Sequence, residues 1–204
     1  TILNIALVHG ESSNADPKVL DVQNKLLATG RFSSITLIAA GSVTPATSQL
    51  LTYDAVMVWD NFAFADRVTL GNNLADYVDA GGGVVITLFA GDSSSPAGSS
   101  LVLKGRFNSG GYFAISPGSD LRNTALTLGT VYQSSHPLLS GVTSFNGGSG
   151  SFHTNSPLSA GAVRIADWSD GQPLIAENLI SGHRRIHLNF YPSQSDALSS
   201  GWQS

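Results

Sequence analysis

The chain has 204 residues, of which 42% are hydrophobic and 12% are charged, and its formal net charge is -4. This length suits one domain, spanning residues 1–204, with a proper core, and the composition excludes a disordered chain. The basic residues are scattered and no apolar run approaches the length of a bilayer, so we expect neither nucleic-acid binding nor a membrane span. The absence of cysteine excludes disulfides, thiolate metal sites and a cysteine nucleophile.

Lysine is rare, whereas Ser, Thr, Asn and Gly are abundant, and the sequence starts at Thr1 without a signal peptide. The start suits either a processed product or a piece cut from a larger parent protein. The composition suits a protein that is secreted by a microbe or exposed on its surface, and the alternative is an ordinary cytosolic domain with a polar, weakly charged surface. Flanking domains of that parent protein are therefore expected partners.

The first part of the chain alternates between strands and helices. Residues 2–8 form an apolar strand, and Asp16 followed by Pro17 is typical of a helix start, because aspartate caps the helix and proline suits its first position. Residues 35–39 form the second strand, and the polar residues 44–51 form a connector with one helical turn. This alternation predicts a parallel sheet with helices on both faces.

A strand, a helix and a second strand follow. Residues 55–59 and 84–89 are short apolar runs without alternation, which suits parallel strands that are covered on both faces. The helix between them ends at glycines 81–83. Its apolar stripe has helical spacing and consists of Leu70, Leu74, Tyr77 and Val78. Both strands should end at the same edge of the sheet, which is where ligands bind in open α/β sheets.

After residue 92 the pattern changes to short strands and turns. Loops rich in glycine and serine are expected at residues 93–100 and 146–151. Residues 136–142 predict a turn with a short helix, and residues 196–202 predict a final helical segment. Strands are predicted at residues 126–132, 163–166, 173–177 and 185–190, with a hairpin across residues 169–171.

Polar and aromatic residues at the predicted strand ends make the carboxyl edge of the sheet the first candidate site. Aromatic rings beside aspartate and asparagine suit a sugar, because the sugar stacks on the ring while the polar groups bind its hydroxyls. Trp59 and Phe89 are expected in the core, while Phe62, Phe64 and Tyr191 suit the core and a ligand equally well. The predicted ligand-binding residues are His9, Gly10, Glu11, Asp60, Asn61, Phe62, Gly91, Asp92 and Tyr191.

A metal site is an alternative use of this edge. Residues of the types that bind zinc or harder cations could converge there, namely His9, Glu11, Asp60, Asp92 and His153. They lack the tight ligand spacing of metal-binding motifs, so we expect no metal and no other cofactor.

The remaining histidines suit structural roles. His136 precedes a proline and is expected to shape a turn. His187 lies inside a predicted strand, where a hydrogen-bonded structural histidine is expected. Residues 183–185 are expected to form a solvated hairpin end.

Four segments, taken in order, carry a resemblance to a known family. They are YDAVMVWD with LADYVDAGGGVVIT (residues 53–60 and 74–87), LKGRF (103–107), HPL with GV (136–142), and ADW (166–168) with the strand at 173–177 and the last predicted strand with its glycine entry (182–190). Their order and spacing resemble the class I glutamine amidotransferase-like superfamily, and most closely its ThuA-like branch. The resemblance implies a flavodoxin-like three-layer α/β sandwich with a central, mostly parallel sheet and an antiparallel excursion in the second half.

The resemblance also implies that the catalytic triad of the amidotransferases has been lost. Phe89 falls where the family carries its cysteine nucleophile on a strained strand-to-helix turn. Tyr191 and Ser193 fall where the family carries histidine and glutamate. Tyrosine, which titrates at about pH 10, is a poor base at neutral pH. We therefore expect no glutaminase activity.

Two kinds of function fit these residues. The first is a non-catalytic module of a larger protein that binds a ligand, such as a carbohydrate, or has a structural role. The second is an enzyme. A ThuA-like enzyme would act on a carbohydrate-related substrate, with an acid or base among His9, Asp60, Asp92 and His153. A serine hydrolase would take its nucleophile from residues 92–95, such as Ser93 beside Asp92, with His136 or His153 as base.

The side chains in the crevice at the carboxyl edge would distinguish an enzyme from a non-catalytic module. An enzyme requires a titratable pair within hydrogen-bond distance there, and a strongly shifted pKa. A crevice that is filled by Phe89 and Tyr191 would exclude a ligand and leave a scaffold role.

Overall fold

The computed structural model describes residues 2–92, 101–118, 120–148 and 151–193. The strands are β1 (Leu3–His9), β2 (Phe32–Ala39), β3 (Ala55–Trp59), β4 (Gly83–Ile86), β5 (Leu121–Asn123), β6 (Leu128–Val131), β7 (Phe152–Thr154), β8 (Val163–Trp168), β9 (Pro173–Ile180) and β10 (His183–Leu188). The helices are α1 (Pro17–Leu27), α2 (Thr47–Leu50), α3 (Arg67–Asp79) and α4 (Gly105–Ser109), and Pro137–Leu139 form a single 3-10 turn. None of the helices in these ranges is long and apolar enough to cross a membrane.

The central sheet has eight strands in the order β2-β1-β3-β4-β10-β9-β8-β6. The first five strands of this order run parallel to one another. Strands β9, β8 and β6 continue the sheet with antiparallel pairing, and β5 pairs with β7 in a separate small sheet. The predicted α/β fold, with a mostly parallel sheet and an antiparallel excursion in the second half, is confirmed.

Local signals explain the helices of the first half. Asp16 caps α1 by accepting a hydrogen bond from the N–H of Lys18 at 2.9 Å, and Pro17 occupies the first helical position as predicted. Asp66 caps α3 in the same way, by accepting from two backbone N–H groups. The helix is followed by Gly81, whose φ of 108° is a conformation that glycine adopts without strain.

Helices cover both faces of the parallel strands. On one face, Val56 and Val84 belong to a core that also contains residues of α2, α3 and α4. On the other face, Leu7 and Met57 pack with α1. Strands that are buried on both sides need apolar residues at successive positions, which is why their sequences show no alternation.

The strand after α3 is shorter than predicted. β4 ends at Ile86 and not at residue 89. The backbone after Ile86 leaves the hydrogen-bond ladder of the sheet and bonds instead to the segments that follow β3 and β10. The N–H of Leu88 donates to the carbonyl of Phe190 at 3.1 Å, and the N–H of Phe89 donates to the carbonyl of Asp60 at 2.9 Å.

Three predicted segments fall wholly or partly outside the described residues. They are the loop at residues 93–100, the final helix at residues 196–202, and residues 149–150 of the loop at 146–151. These expectations stay predictions. The turn with a short helix at residues 136–142 and the hairpin between β8 and β9 are confirmed.

The expectation of a solvated hairpin end at residues 183–185 is wrong for Arg185, whose side chain is buried. Its guanidinium donates hydrogen bonds to the carbonyls of Tyr112 at 3.1 Å and His183 at 2.9 Å. The guanidinium also lies 5.7 Å from the centre of the Tyr112 ring. The segment that contains Tyr112 thus covers Arg185, while the neighbouring Arg184 stays exposed.

Gly71 lies inside α3, at the contact with the segment that leads into α4. A Cβ at this position would overlap the carbonyl oxygen of Lys104 and lie 2.9 Å from its carbonyl carbon. Although alanine favours a helix interior over glycine, we expect Gly71→Ala to destabilise the fold by about 1–3 kcal/mol, because the two segments must move apart. Urea unfolding followed by circular dichroism measures this change.

The matched control is Val68→Ala, at an exposed position of the same helix. It should change the free energy of unfolding by less than about 0.5 kcal/mol. If Gly71→Ala were as stable as the wild type, the close packing of the two segments would be contradicted.

Candidate functional site

The ends of β1 and β3 meet at the carboxyl edge of the sheet. His9 and Trp59 are directly paired there, and backbone hydrogen bonds join the loops that follow the two strands. The N–H of Gly10 donates to the carbonyl of Trp59 at 3.0 Å, and the N–H of Phe62 donates to the carbonyl of Gly10 at 3.1 Å. Parallel pairing of β1 with β3 thus brings together the predicted site residues that follow these two strands.

Two predicted ligand-binding residues, Gly10 and Gly91, are glycines for reasons of packing. A Cβ on Gly10 would lie 2.5 Å from the Cβ of Asp60 and would overlap the carbonyl oxygen of Phe62. A Cβ on Gly91 would lie 2.7 Å from the imidazole of His187. Both positions therefore require the smallest residue, whether or not a ligand binds nearby.

Three acidic side chains at this edge, Glu11, Asp60 and Asp92, are buried. Neither carboxyl oxygen of Asp60 has a hydrogen-bond partner among the described residues. Burial, together with the negative charges of Glu11 and Asp92, raises the pKa of Asp60 well above its usual range. The geometry therefore favours a protonated Asp60. No group of three acidic or histidine side chains in the described ranges is arranged to hold a metal ion.

Glu11 is connected to the last strand by Tyr191, whose hydroxyl donates a hydrogen bond to Glu11 Oε1. Burial raises the pKa of Glu11, and this hydrogen bond opposes the rise without reversing it. Tyr191 thus acts as a donor to a buried carboxyl group. This role differs from that of the histidine base, which the resemblance to the amidotransferases would put at the same position.

Both ring nitrogens of His9 are engaged. Nδ1 accepts a hydrogen bond from the backbone N–H of Glu11 at 3.2 Å, so the ring proton lies on Nε2, which donates to Asn14 Oδ1 at 2.8 Å. Burial lowers the pKa of His9, which keeps the ring neutral. To act as a base, His9 would have to give up the bond to the Glu11 backbone.

Aromatic rings fill the crevice beside the acidic residues. Phe89 stacks on Tyr191 with ring centroids 5.5 Å apart, and Phe152 meets Phe89 edge-on at 5.4 Å. Phe89 is only 8% exposed and Tyr191 only 1%. Both rings belong to the core cluster that contains Trp59 and α1. Phe89 and Tyr191 are therefore packed in the core next to the predicted ligand-binding residues.

Among the predicted aromatic contacts, Phe62 stands apart because its ring is 54% exposed. Phe64 packs in the core on the α3 side of the sheet, and Tyr191 packs in the core on the α1 side. Asn61 is half-buried next to Phe62. Of the predicted sugar-contacting rings, Phe62 alone is thus accessible at this edge.

The remaining catalytic candidates do not join the acidic group. His153 lies on β7, where Nε2 is 2.9 Å from Asp170 Oδ2 and Nδ1 is 2.9 Å from the carbonyl oxygen of Ser151. These contacts tie the small sheet to the β8–β9 hairpin. Ser93 lies outside the described residues, so the serine-hydrolase hypothesis is untested at its nucleophile. His136 shapes its turn as predicted, because Nδ1 accepts from the N–H of Leu138 at 3.2 Å.

Two residues near the acidic group were not predicted to be part of the site. One is His187, a hydrogen-bonded structural histidine as expected, since its Nδ1 accepts a hydrogen bond from the N–H of Ile115 at 3.3 Å. The imidazole also packs against Gly91, and burial lowers the pKa of His187 to about 3. Arg67, the first residue of α3, carries a positive charge that opposes the rise in the pKa of Asp60. A helix that follows a parallel strand starts at the carboxyl edge, so the position of Arg67 could have been inferred.

The sequence matches no protein-family model and no curated protein. The fold, in contrast, matches solved structures. A protein of Parabacteroides merdae that is described as ThuA-like has a TM-score of 0.66 and 14% identity, over 100% of this chain and 86% of the other. A cytoplasmic protein of Salmonella typhimurium has a TM-score of 0.65 and 11% identity, over 98% of this chain and 90% of the other. The chain thus has a ThuA-like fold.

Larger carbohydrate-active enzymes contain a similar region. The β-galactosidase of Bacillus circulans sp. alkalophilus has a TM-score of 0.58 and 13% identity, over 92% of this chain but 28% of its own. A carbohydrate deacetylase has a TM-score of 0.57 and 15% identity, over 92% of this chain and 29% of its own. At these identities the likeness concerns the fold alone.

Asp60 makes the stability of the fold depend on pH. In the unfolded chain, Asp60 ionises above its ordinary pKa of about 4, whereas in the folded chain it holds its proton to higher pH. The free energy of unfolding should therefore fall as pH rises from about 4 towards the raised pKa, by up to about 1.4 kcal/mol per pH unit from this group. Asp60→Asn cannot ionise and should lack this contribution. Urea denaturation of both proteins between about pH 4 and pH 8 measures the difference.

Asp66→Asn is the matched control, because hydrogen bonds from Thr69 lower the pKa of this exposed carboxyl group. Its contribution has the opposite sign: it is present above the ordinary pKa and is lost as pH falls through the lowered one. A difference between the wild type and Asp60→Asn that does not change with pH would show that Asp60 ionises normally in the fold.

Proposed function

We propose that this chain is a non-catalytic module with a ThuA-like fold that has a structural role in a larger protein. The observation that carries this proposal is the filled carboxyl edge, where Phe89 stacks on Tyr191. By resemblance to the amidotransferases, these residues stand at the positions of the nucleophile and the histidine base. Stacked rings stabilise a core, but a phenyl ring cannot attack a carbonyl group.

Some features that an enzyme requires are present at the edge. Asp60 has a strongly raised pKa, and Glu11 forms a titratable pair with Tyr191. Asp60 and Glu11 are buried beside the stacked rings of Phe89 and Tyr191, so we expect that a substrate would have to displace Phe89 to reach them. Burial is the largest cause of both raised pKa values, and neighbouring negative charges add to it, as they do in many buried clusters of acidic side chains. These features therefore favour packing over the alternative of a ThuA-like enzyme.

The larger neighbours support a role within a multidomain protein. In the β-galactosidase and the deacetylase, the similar region makes up less than a third of the chain. The fold therefore occurs as one part of proteins that act on carbohydrates, which suits a module that supports a carbohydrate-active domain. A secreted or surface location has no support from the similar structures, among which the Salmonella typhimurium protein is described as cytoplasmic, and it stays a prediction.

Replacing Phe89 distinguishes a core ring from a ring in a working site. We expect Phe89→Ala to lower the free energy of unfolding by about 3–5 kcal/mol, because the buried ring leaves a cavity. Phe89→Leu keeps most of the volume and should cost less than about 1.5 kcal/mol if the core repacks. Guanidinium unfolding monitored by tryptophan fluorescence measures both changes, since Trp59 lies in the same core cluster.

Phe62→Ala is the matched control, because this ring lies at the same edge but is mostly exposed. Its effect on stability should stay within about 0.5 kcal/mol. A Phe89→Ala variant that is as stable as the wild type would count against the proposal, since residues that serve a site are often replaceable without loss of stability.

A thermal-shift screen tests the absence of a ligand site directly. It covers mono- and oligosaccharides, divalent metals with and without EDTA, and nucleotides. A ligand at one hundred times its dissociation constant would add about 2.7 kcal/mol to the stability, which is easily detected. We expect no shift. A saccharide or metal shift that disappears in Asp60→Ala would replace the structural role with ligand binding at the carboxyl edge.

A further inference from the structure

Strand β2 lies at one edge of the eight-stranded sheet, and its register with β1 is regular from Ser34 to Ala39. An edge strand offers a row of backbone groups to which a strand of another chain can bond, and proteins usually protect such an edge with charged side chains or proline. The sequence of β2 is FSSITLIA, and no charged residue occurs between Arg31 and Asp54. The side chains of β2 therefore do not protect this edge.

Alternate residues of β2 direct their backbone groups away from β1. The N–H of Ala40, which follows β2, donates to the carbonyl of His9 on β1 at 2.9 Å, so the even-numbered residues of the regular stretch bond towards β1. The outward carbonyl groups are those of Ile35, Leu37 and Ala39. They are the acceptors that a further strand at this edge would use.

Each of the three outward carbonyls already accepts a hydrogen bond within the chain. Nε2 of Gln23 donates to the carbonyl of Ile35 at 3.2 Å. Nδ2 of Asn14 donates to the carbonyl of Leu37 at 3.2 Å. The third carbonyl accepts from the backbone N–H of Ser42 at 3.0 Å. A strand that bonded to β2 would have to displace these donors, and two of them are side-chain amides.

Neighbouring elements hold both amides in place. Gln23 lies on α1 next to Val22, which is buried in the core between α1 and the sheet. Oδ1 of Asn14 accepts a hydrogen bond from Nε2 of His9 at 2.8 Å. Because the amide oxygen is bound to the imidazole, the amide nitrogen is the group that is left for Leu37. The two amides are therefore oriented for the edge of β2 by contacts outside that strand.

We propose that β2 is a self-pairing surface for a second copy of this chain and that Asn14 and Gln23 block it. Two copies related by a two-fold axis beside β2 would pair their edge strands antiparallel, and each strand would offer the same backbone groups to the other. The apolar and β-branched residues from Ile35 to Ile38 suit such pairing. The strand carries no charge that would select a different partner.

Removing the two amides from the intact chain tests this proposal. The test variant combines Asn14→Ala with Gln23→Met, since methionine is a good helix former of similar length and has no hydrogen to donate. The matched control combines Asn24→Ala with Gln49→Met, at exposed positions of α1 and α2. Size-exclusion chromatography with light scattering measures the molar mass, and circular dichroism checks that each variant is folded.

We expect the test variant to have a roughly twofold higher molar mass than the wild type, because two-fold pairing uses the β2 edge of both copies and stops there. The control should keep the wild-type mass. Gln23→Met alone retains the bond between Asn14 and His9, and it should convert part of the protein to the doubled mass. Adding Thr36→Lys to the test variant should restore the wild-type mass, since a lysine on an edge strand opposes pairing.

A folded test variant with the wild-type mass would overturn the proposal. So would association that Thr36→Lys does not reverse, because the copies would then meet through another surface. If Thr36→Lys in the wild-type background halved the molar mass, β2 would already pair and the two amides would not block it. Should the test variant fail to fold, Gln23→Met alone decides the question by the same outcomes.

Discussion

A parallel sheet has to bury both of its faces, and this requirement organises the molecule. It explains why β1, β3 and β4 are apolar at successive positions and why helices flank them on both sides. It also explains an apolar groove beside α1, lined by residues that include Met57, Val85 and Ile186, since the strands there present the same kind of surface as in the covered regions. The layers of the fold and the groove thus have one physical cause.

The same sheet creates the carboxyl edge, and the side chains found there decide what the edge can do. Parallel pairing brings the ends of β1 and β3 together, and with them the buried acids Glu11 and Asp60. In open α/β sheets such an edge is the usual place for a ligand. Here the stacked rings of Phe89 and Tyr191 occupy it, so the acids are enclosed and their pKa values rise. The two rings are thus part of the core cluster beside α1.

The second half of the chain is held by side chains that bond to backbone groups. Asn189, just after β10, accepts from the N–H of Thr154 and donates to the carbonyls of Thr154 and Pro173. His153 bridges the small sheet and the β8–β9 hairpin through Ser151 and Asp170. These side-chain hydrogen bonds hold short strands in place that form few backbone hydrogen bonds with their neighbouring strands. They also give His153, which the sequence suggested as an acid or base, two hydrogen-bond partners in the fold.

Local sequence patterns predicted the parallel strands, the start of α1 at Asp16, the apolar stripe and the end of α3, and the hairpin after β8, because each depends on residues that are close together in the chain. The resemblance to the ThuA-like branch added the prediction of the overall fold. The partners of the strand ends were decided only by the tertiary structure: Tyr191 reaches Glu11, His153 reaches Asp170, and Arg185 is enclosed by Tyr112. Burial and pKa depend on such contacts between distant segments, and local patterns carry no information about them.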